Sequence, residues 1–147
     1  MKTCFFIGHR DTPVNVYDRL LASVERHIIE YGVTDFVVGR YGNFDHLAAR
    51  AVIEAKRHHA DVTLTLLMPY YRINAAPLPD GFDGSVFPDG LETVPKRVAI
   101  LRANQYMIRH CNYMIVYDAG RIGNTRTFVS QAHTIKSLQI DNVAKNL

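Results

Sequence analysis

Tryptophan is absent from this 147-residue chain, and cysteine occurs only twice, as Cys4 and Cys111, in no CxxC or Cys/His cluster. A disulfide scaffold and a zinc ribbon are therefore disfavoured, and no metal site is expected. No apolar stretch approaches the ~18 residues of a membrane span, and the run Cys4-Phe5-Phe6-Ile7 is too short for the core of a signal peptide. A soluble, cytoplasmic protein with no membrane partner is expected. Charge of either sign is scarce in excess: the formal net charge is +3. So small a surplus permits an anionic ligand. It makes no basic stripe interleaved with stacking aromatics, so nucleic acid is disfavoured as a partner. What remains is a 48% hydrophobic, 21% charged chain. That is the usual globular mix, with enough residues to bury the core of a single domain spanning 1–147.

Hydrophobic patterning divides the chain into alternating elements. Thr3 to Ile7 is β-branched and aromatic and closes at Gly8, reading as a buried strand. Thr12 and Pro13 suit the N-cap and first position of a helix carrying Val16, Leu20, Val24 and Ile28 on one face, with Gly32 as its stop. A second strand, Asp35 to Val38, leads through Gly39–Asp45 into a helix with a small-residue stripe (Leu47, Ala48, Ala51, Val52, Ala55), for which Asp45 is the expected cap. A third strand covers Val62 to Met68. The segment 69–95 holds five of the six prolines and three glycines, and no regular element is expected in it. A loop that long is expected to cover a site or to contact another subunit, which would make the protein a homo-oligomer. A helix over Lys96–His110, a strand at Tyr113–Tyr117, a fourth helix after Asn124 and a last strand near Leu138–Val143 complete the pattern. Right-handed crossovers turn this alternation into a parallel five-stranded α/β sheet, order 3-2-1-4-5, with helices on both faces. Ligands of such sheets bind beyond the carboxyl ends of the strands where the order reverses, here between the first and fourth strands.

Three glycine-bearing loops converge on that edge. In Gly39-Arg40-Tyr41-Gly42-Asn43-Phe44-Asp45 the glycines permit close backbone approach, and amides at the following helix start favour an anion such as phosphate; a tight turn with an aspartate cap explains the same spacing. In Gly8-His9-Arg10-Asp11, Arg10 can hold phosphate or carboxylate bidentately and His9 can move a proton. Alternatively, Arg10 pairs with Asp11 or Asp45 and ties loops together. The third loop, Gly120-Arg121-Ile122-Gly123-Asn124-Thr125, again opens a helix, with Asn124 or Thr125 as cap. Arg97 and Asn104 share a face of the helix over 96–110, and Arg102 lies off it, solvated or paired with Glu92. Converging loops of this kind point to a nucleotide or sugar-phosphate pocket.

With these residues in view, the chain resembles the SLOG superfamily, the Rossmann-like group that includes the DprA/Smf and LOG proteins, and within it the YpsA-like branch. The resemblance rests on Cys4-Phe5-Phe6-Ile7-Gly8-His9-Arg10, on Gly39 to Asp45, on Phe87-Pro88-Asp89-Gly90-Leu91-Glu92-Thr93-Val94-Pro95-Lys96-Arg97, and on Ala103-Asn104-Gln105-Tyr106-Met107. The last segment is similar to the branch's Arg-Asn-x-x-Met helix, with alanine in place of the arginine. The resemblance implies a Rossmann-like three-layer fold and binding of a nucleotide or nucleotide-derived ligand, ADP-ribose-like or a nucleoside phosphate; a binding module that acts as a sensor is the first reading of function. No further cofactor is implied. LOG enzymes cleave the base from nucleoside monophosphates using Pro-Gly-Gly-x-Gly-Thr-x-x-Glu. Here the matching region, Ala119 to Phe128, lacks the tandem glycine, and no glutamate follows. An N-glycosidase would therefore need another carboxylate near the anomeric carbon, for which Asp45, Asp118 and Glu92 are the candidates. Single-stranded DNA binding in the manner of DprA is the third reading.

Overall fold

The computed structural model describes residues 1–69 and 77–144. Its elements are β1 (Thr3–Gly8), α1 (Tyr17–Ile29, entered through a 3₁₀ turn at Val14–Val16), β2 (Asp35–Val38), α2 (Asn43–Lys56), β3 (Thr63–Leu67), β4 (Gly84–Val86), α3 (Lys96–His110), β5 (Tyr113–Tyr117), α4 (Asn124–His133) and β6 (Gln139–Asn142). The strands form one sheet in the order β4-β3-β2-β1-β5-β6, every neighbouring pair parallel. β1 is flanked by β2 and β5, and the direction of winding reverses between β1 and β5.

Five strands lie in the expected order, but the sheet has six. The correction falls in the segment 69–95, where no regular element was expected: Gly84–Val86 pairs with Thr65–Leu67. Polar bonds rather than an apolar pattern anchor this strand. The Asp83 carboxylate accepts the Leu64 amide at 2.8 Å and the Lys56 ammonium at 2.6 Å, and the Asp83 amide donates to the Leu64 carbonyl. Periodicity carries no trace of such an anchor. Residues 70–76 of the same segment lie outside the described residues.

The alternation of side chains along each strand separates two cores. Cys4, Phe6, Phe36, Val38 and Ile115 face α1 and α2, and Leu20, Val24, Leu47, Ala51 and Val52 pack onto them. Phe5, Ile7, Val37, Met114 and Val116 face the other way, toward Ala99, Ala103 and Met107 of α3 and Phe128 and Ala132 of α4. Both thiols are free, and burial raises both pKa values, that of Cys111 to about 12. Neither is a ready thiolate. Among the described residues no helix is long and apolar enough to cross a membrane.

The start of α1 differs from expectation. Thr12 caps no helix: its amide and its hydroxyl both donate to the His9 carbonyl, at 3.3 and 2.7 Å, closing a turn directly after β1. α1 starts only at Tyr17. The stop at Gly32 (φ +74°) is as expected, with its amide on the Ile28 carbonyl and the Val33 amide on that of His27.

The end of β1 is packed without slack against α2. A Cβ on Gly8 would lie 2.2 Å from Cγ of the fully buried Phe44 ring. Gly8→Ala is therefore expected to cost about 1–3 kcal/mol of unfolding free energy, as overpacking does, measured by urea denaturation. A wild-type midpoint for this variant would show that Phe44 can yield.

Candidate functional site

The three loops that end β1, β2 and β5 are stitched together by the first of them. On one side Arg10 accepts the Asn43 amide at 2.9 Å through its carbonyl, the Asn43 side-chain amide donates to the Thr12 carbonyl, and Gly42 lies so close that a Cβ there would come within 2.6 Å of Arg10 Cα. On the other side His9 Nε2 accepts the Ala119 amide at 3.1 Å, the Thr125 hydroxyl donates to the Gly8 carbonyl at 3.1 Å, and Arg121 grips Asp11 with two bonds of 2.6 and 2.9 Å.

A cleft of about 380 Å³ opens over this junction, within the size range of small-molecule sites. Its floor is apolar, from Phe6, Ile7, Leu67, Ile100 and Phe128, and its walls are the loops. Two helices start at its edge, and neither has a side-chain cap. Gly42 and Gly123 occupy the N-cap positions of α2 and α4. The expected caps are used otherwise. Asp45 lies within the first turn of α2 and accepts the Tyr41 amide at 3.0 Å, Asn124 is itself the first residue of α4, and Thr125 is bonded to Gly8. The positive ends of both helix dipoles thus adjoin the cleft without a capping side chain, and at α2 the Asn43 amide is already bonded to the Arg10 carbonyl. Arg10 lines the cleft and, among the described residues, makes no side-chain hydrogen bond or ion pair. The pairing with Asp11 or Asp45 left open by the sequence does not form, because Arg121 takes Asp11 and the Tyr41 amide takes Asp45.

Of the residues singled out from the sequence, Gly8, His9, Arg10, Gly39, Tyr41, Gly42, Asp45, Asn104, Gly123, Asn124 and Thr125 line the cleft. The others do not. Arg40 lines a neighbouring cavity, and Asn43 is occupied in tying two loops. Asp118 accepts the Gly120 amide at 2.9 Å, which folds both residues into their own turn. Glu92, Arg97 and Arg102 are exposed outside the cleft. Arg97 shares a side of α3 with Asn104, but seven residues of helix set the two about 10 Å apart along the axis. The cleft takes Ile100, Ala103 and Asn104 instead, and Asn104 Nδ2 donates to the Ile100 carbonyl at 2.8 Å. Asp11 and Arg121 were not among the site residues read from the sequence, although both line the cleft. They are 110 positions apart, and the signal that joins them is the strand order, which sets the β1 and β5 loops side by side.

Electrostatics single out Asp45 and His9. Burial raises the Asp45 carboxyl to about 6, against a single opposing hydrogen bond from Tyr41. Burial, and then the Arg121 charge, lower the His9 pKa. Since Nε2 accepts the Ala119 amide, the neutral ring carries its proton on Nδ1. Arg121 holds the exposed Asp11 down to about 2. Among the described residues no group of three or more His, Cys, Asp or Glu side chains is placed to hold a metal ion.

Neither a family model nor a curated protein sequence matches the chain. Its structure is similar to the X-ray structure of DNA processing protein A (DprA) from Streptococcus pneumoniae, at a TM-score of 0.65 and 13% sequence identity, over 91% of this chain and 47% of that one. The chain thus spans about half the length of that structure. The likeness supports a DprA-like, Rossmann-like α/β fold of the kind the sequence motifs resemble.

The raised Asp45 has a consequence for stability. The folded protein keeps this proton up to pH about 6, whereas an unfolded aspartate releases it near pH 3.8. The contribution to stability is therefore full below about pH 4 and is lost as pH rises through 6. Asp45→Asn keeps an acceptor for Tyr41 and cannot ionise. It is expected to melt about 2–6 °C above wild type at pH 7.5 and level with it at pH 4. An equal difference at both pH values would place the Asp45 pKa at an ordinary value.

Proposed function

We propose that the protein binds a nucleotide or nucleotide-derived ligand, an ADP-ribose-like molecule or a nucleoside phosphate, as the YpsA-like resemblance implies. The observation that carries this reading is the start of α4 at Gly123–Asn124, which has no side-chain cap and opens onto the same cleft as Arg10, whose side chain makes no hydrogen bond or ion pair among the described residues. Amides and a guanidinium supply the donors a phosphate needs, and the apolar floor supports the uncharged part of the ligand. DNA processing, for which DprA is named, belongs to that protein; what bears on this chain is the shared fold.

The test is a thermal-shift screen against AMP, GMP, ADP, NAD, ADP-ribose and ribose 5-phosphate, with a single-stranded oligonucleotide alongside. A ligand at ~100 times its dissociation constant adds about 2.7 kcal/mol, a rise of roughly 5–10 °C for a domain of this size. Arg10→Ala is expected to abolish that rise and to leave the ligand-free melting temperature within about 1 °C, since the exposed guanidinium makes no hydrogen bond or ion pair among the described residues. A large loss of ligand-free stability would make Arg10 a structural residue instead.

A second reading, N-glycosidic hydrolysis, draws on the carboxyl of Asp45, whose raised pKa keeps a proton available near neutrality. In that reaction Asp45 protonates the departing base as the bond from anomeric carbon to nitrogen breaks. Water then adds its oxygen to that carbon and returns a proton to Asp45. Release of free base from a nucleoside monophosphate, lost at least 100-fold in Asp45→Asn, would establish hydrolysis. Intact nucleotide after prolonged incubation would leave binding alone.

A further inference from the structure

Beside the main cleft, across the Gly39–Gly42 turn, lies a second cavity of about 300 Å³. The two share Gly39, Gly42 and Asp45, so Asp45 stands at their junction. The remaining wall of the second cavity, among the described residues, divides by chemistry. Ala49, Leu66, Pro79 and Phe82 are apolar, and Arg40 and His46 are polar. Neither Arg40 nor His46 makes a side-chain hydrogen bond or ion pair among the described residues. Their donors are left unused beside an apolar surface that includes an aromatic ring.

We propose that the second cavity is the base subsite of the nucleotide site, taking a purine whose acceptor edge meets Arg40. This rests on the reading of the main cleft as a phosphate and sugar site. A flat heterocycle needs apolar contact for its faces and directed polar groups for its edge. Leu66, Pro79 and Phe82 offer the first, and Arg40 and His46 the second. A guanidinium only donates, so the edge it reads carries acceptors, as the O6/N7 edge of a 6-oxopurine does. The ligand then lies across Asp45, with phosphate at the starts of α2 and α4 and the base on the far side of the β2–α2 turn. Asp45 would adjoin the bond between sugar and base.

The experiment compares ribose 5-phosphate, AMP and GMP by calorimetry on the full chain. The wild type is expected to bind GMP about tenfold or more tighter than ribose 5-phosphate, and tighter than AMP. Ala49→Leu, which enlarges a side chain that lines the second cavity and does not line the main cleft, should bring GMP down to the level of ribose 5-phosphate while ribose 5-phosphate itself binds within about twofold of wild type. Arg40→Ala, at an exposed position, serves if Ala49→Leu does not fold, and should remove the preference for GMP over AMP. GMP binding unchanged in both variants would overturn the base subsite and leave the phosphate site standing. Failure of wild type to bind any of the three would overturn the reading of the main cleft, and the subsite with it.

Discussion

Everything at the carboxyl edge depends on the loop after β1 being held between its two neighbours. β1 is central, so the residues that follow it have β2's loop on one side and β5's on the other. Gly8 to Thr12 use backbone as much as side chain to bind both. The carbonyls of Gly8, Arg10 and Thr12 all accept from neighbouring loops or helices, and His9 accepts an amide. A loop fixed through its carbonyls leaves the Arg10 side chain free of structural work. The same bonds occupy the Asn43 amide and the Thr125 hydroxyl, and neither α2 nor α4 has a side-chain cap.

Asp45 occupies an uncommon position within that arrangement. An acidic residue in the first turn of a helix usually stabilises it through the dipole and through exposed amides. Here the carboxylate reaches back to Tyr41 and is buried deeply enough that one hydrogen bond does not offset its lost hydration. A chain selected for stability alone would do better with a neutral side chain at this position.

Much of this was legible in the sequence, and the parts that were not have physical reasons. The buried strands announced themselves through Cys4–Ile7, Phe36–Val38 and Met114–Val116, and α2 through its small-residue stripe, because burial on both sheet faces demands continuous apolar runs. The convergence of three loops followed from topology. β4 did not show, because Gly84-Ser85-Val86 is held by Asp83 and backbone bonds. The cap assignments at Thr12, Asn124 and Thr125 failed for another reason. Local pattern assigns a hydroxyl or amide to the nearest helix, whereas these groups bond to a carbonyl on the β1 loop or begin the helix themselves. Arg40 and Tyr41 are adjacent in sequence, yet one lines the second cavity and the other the main cleft, a separation set by how the β2–α2 turn bends.

The sheet's outer strands carry a consequence of a different kind. β4 has three residues and β6 has four, so each margin exposes only a short row of unpaired amides and carbonyls. β6 is also pinned to α1, with Asp141 accepting from Ser23 and Arg26 at 2.5 Å. Margins this brief give another polypeptide little to extend by strand addition, and they guard the parallel sheet against growing laterally into an aggregate.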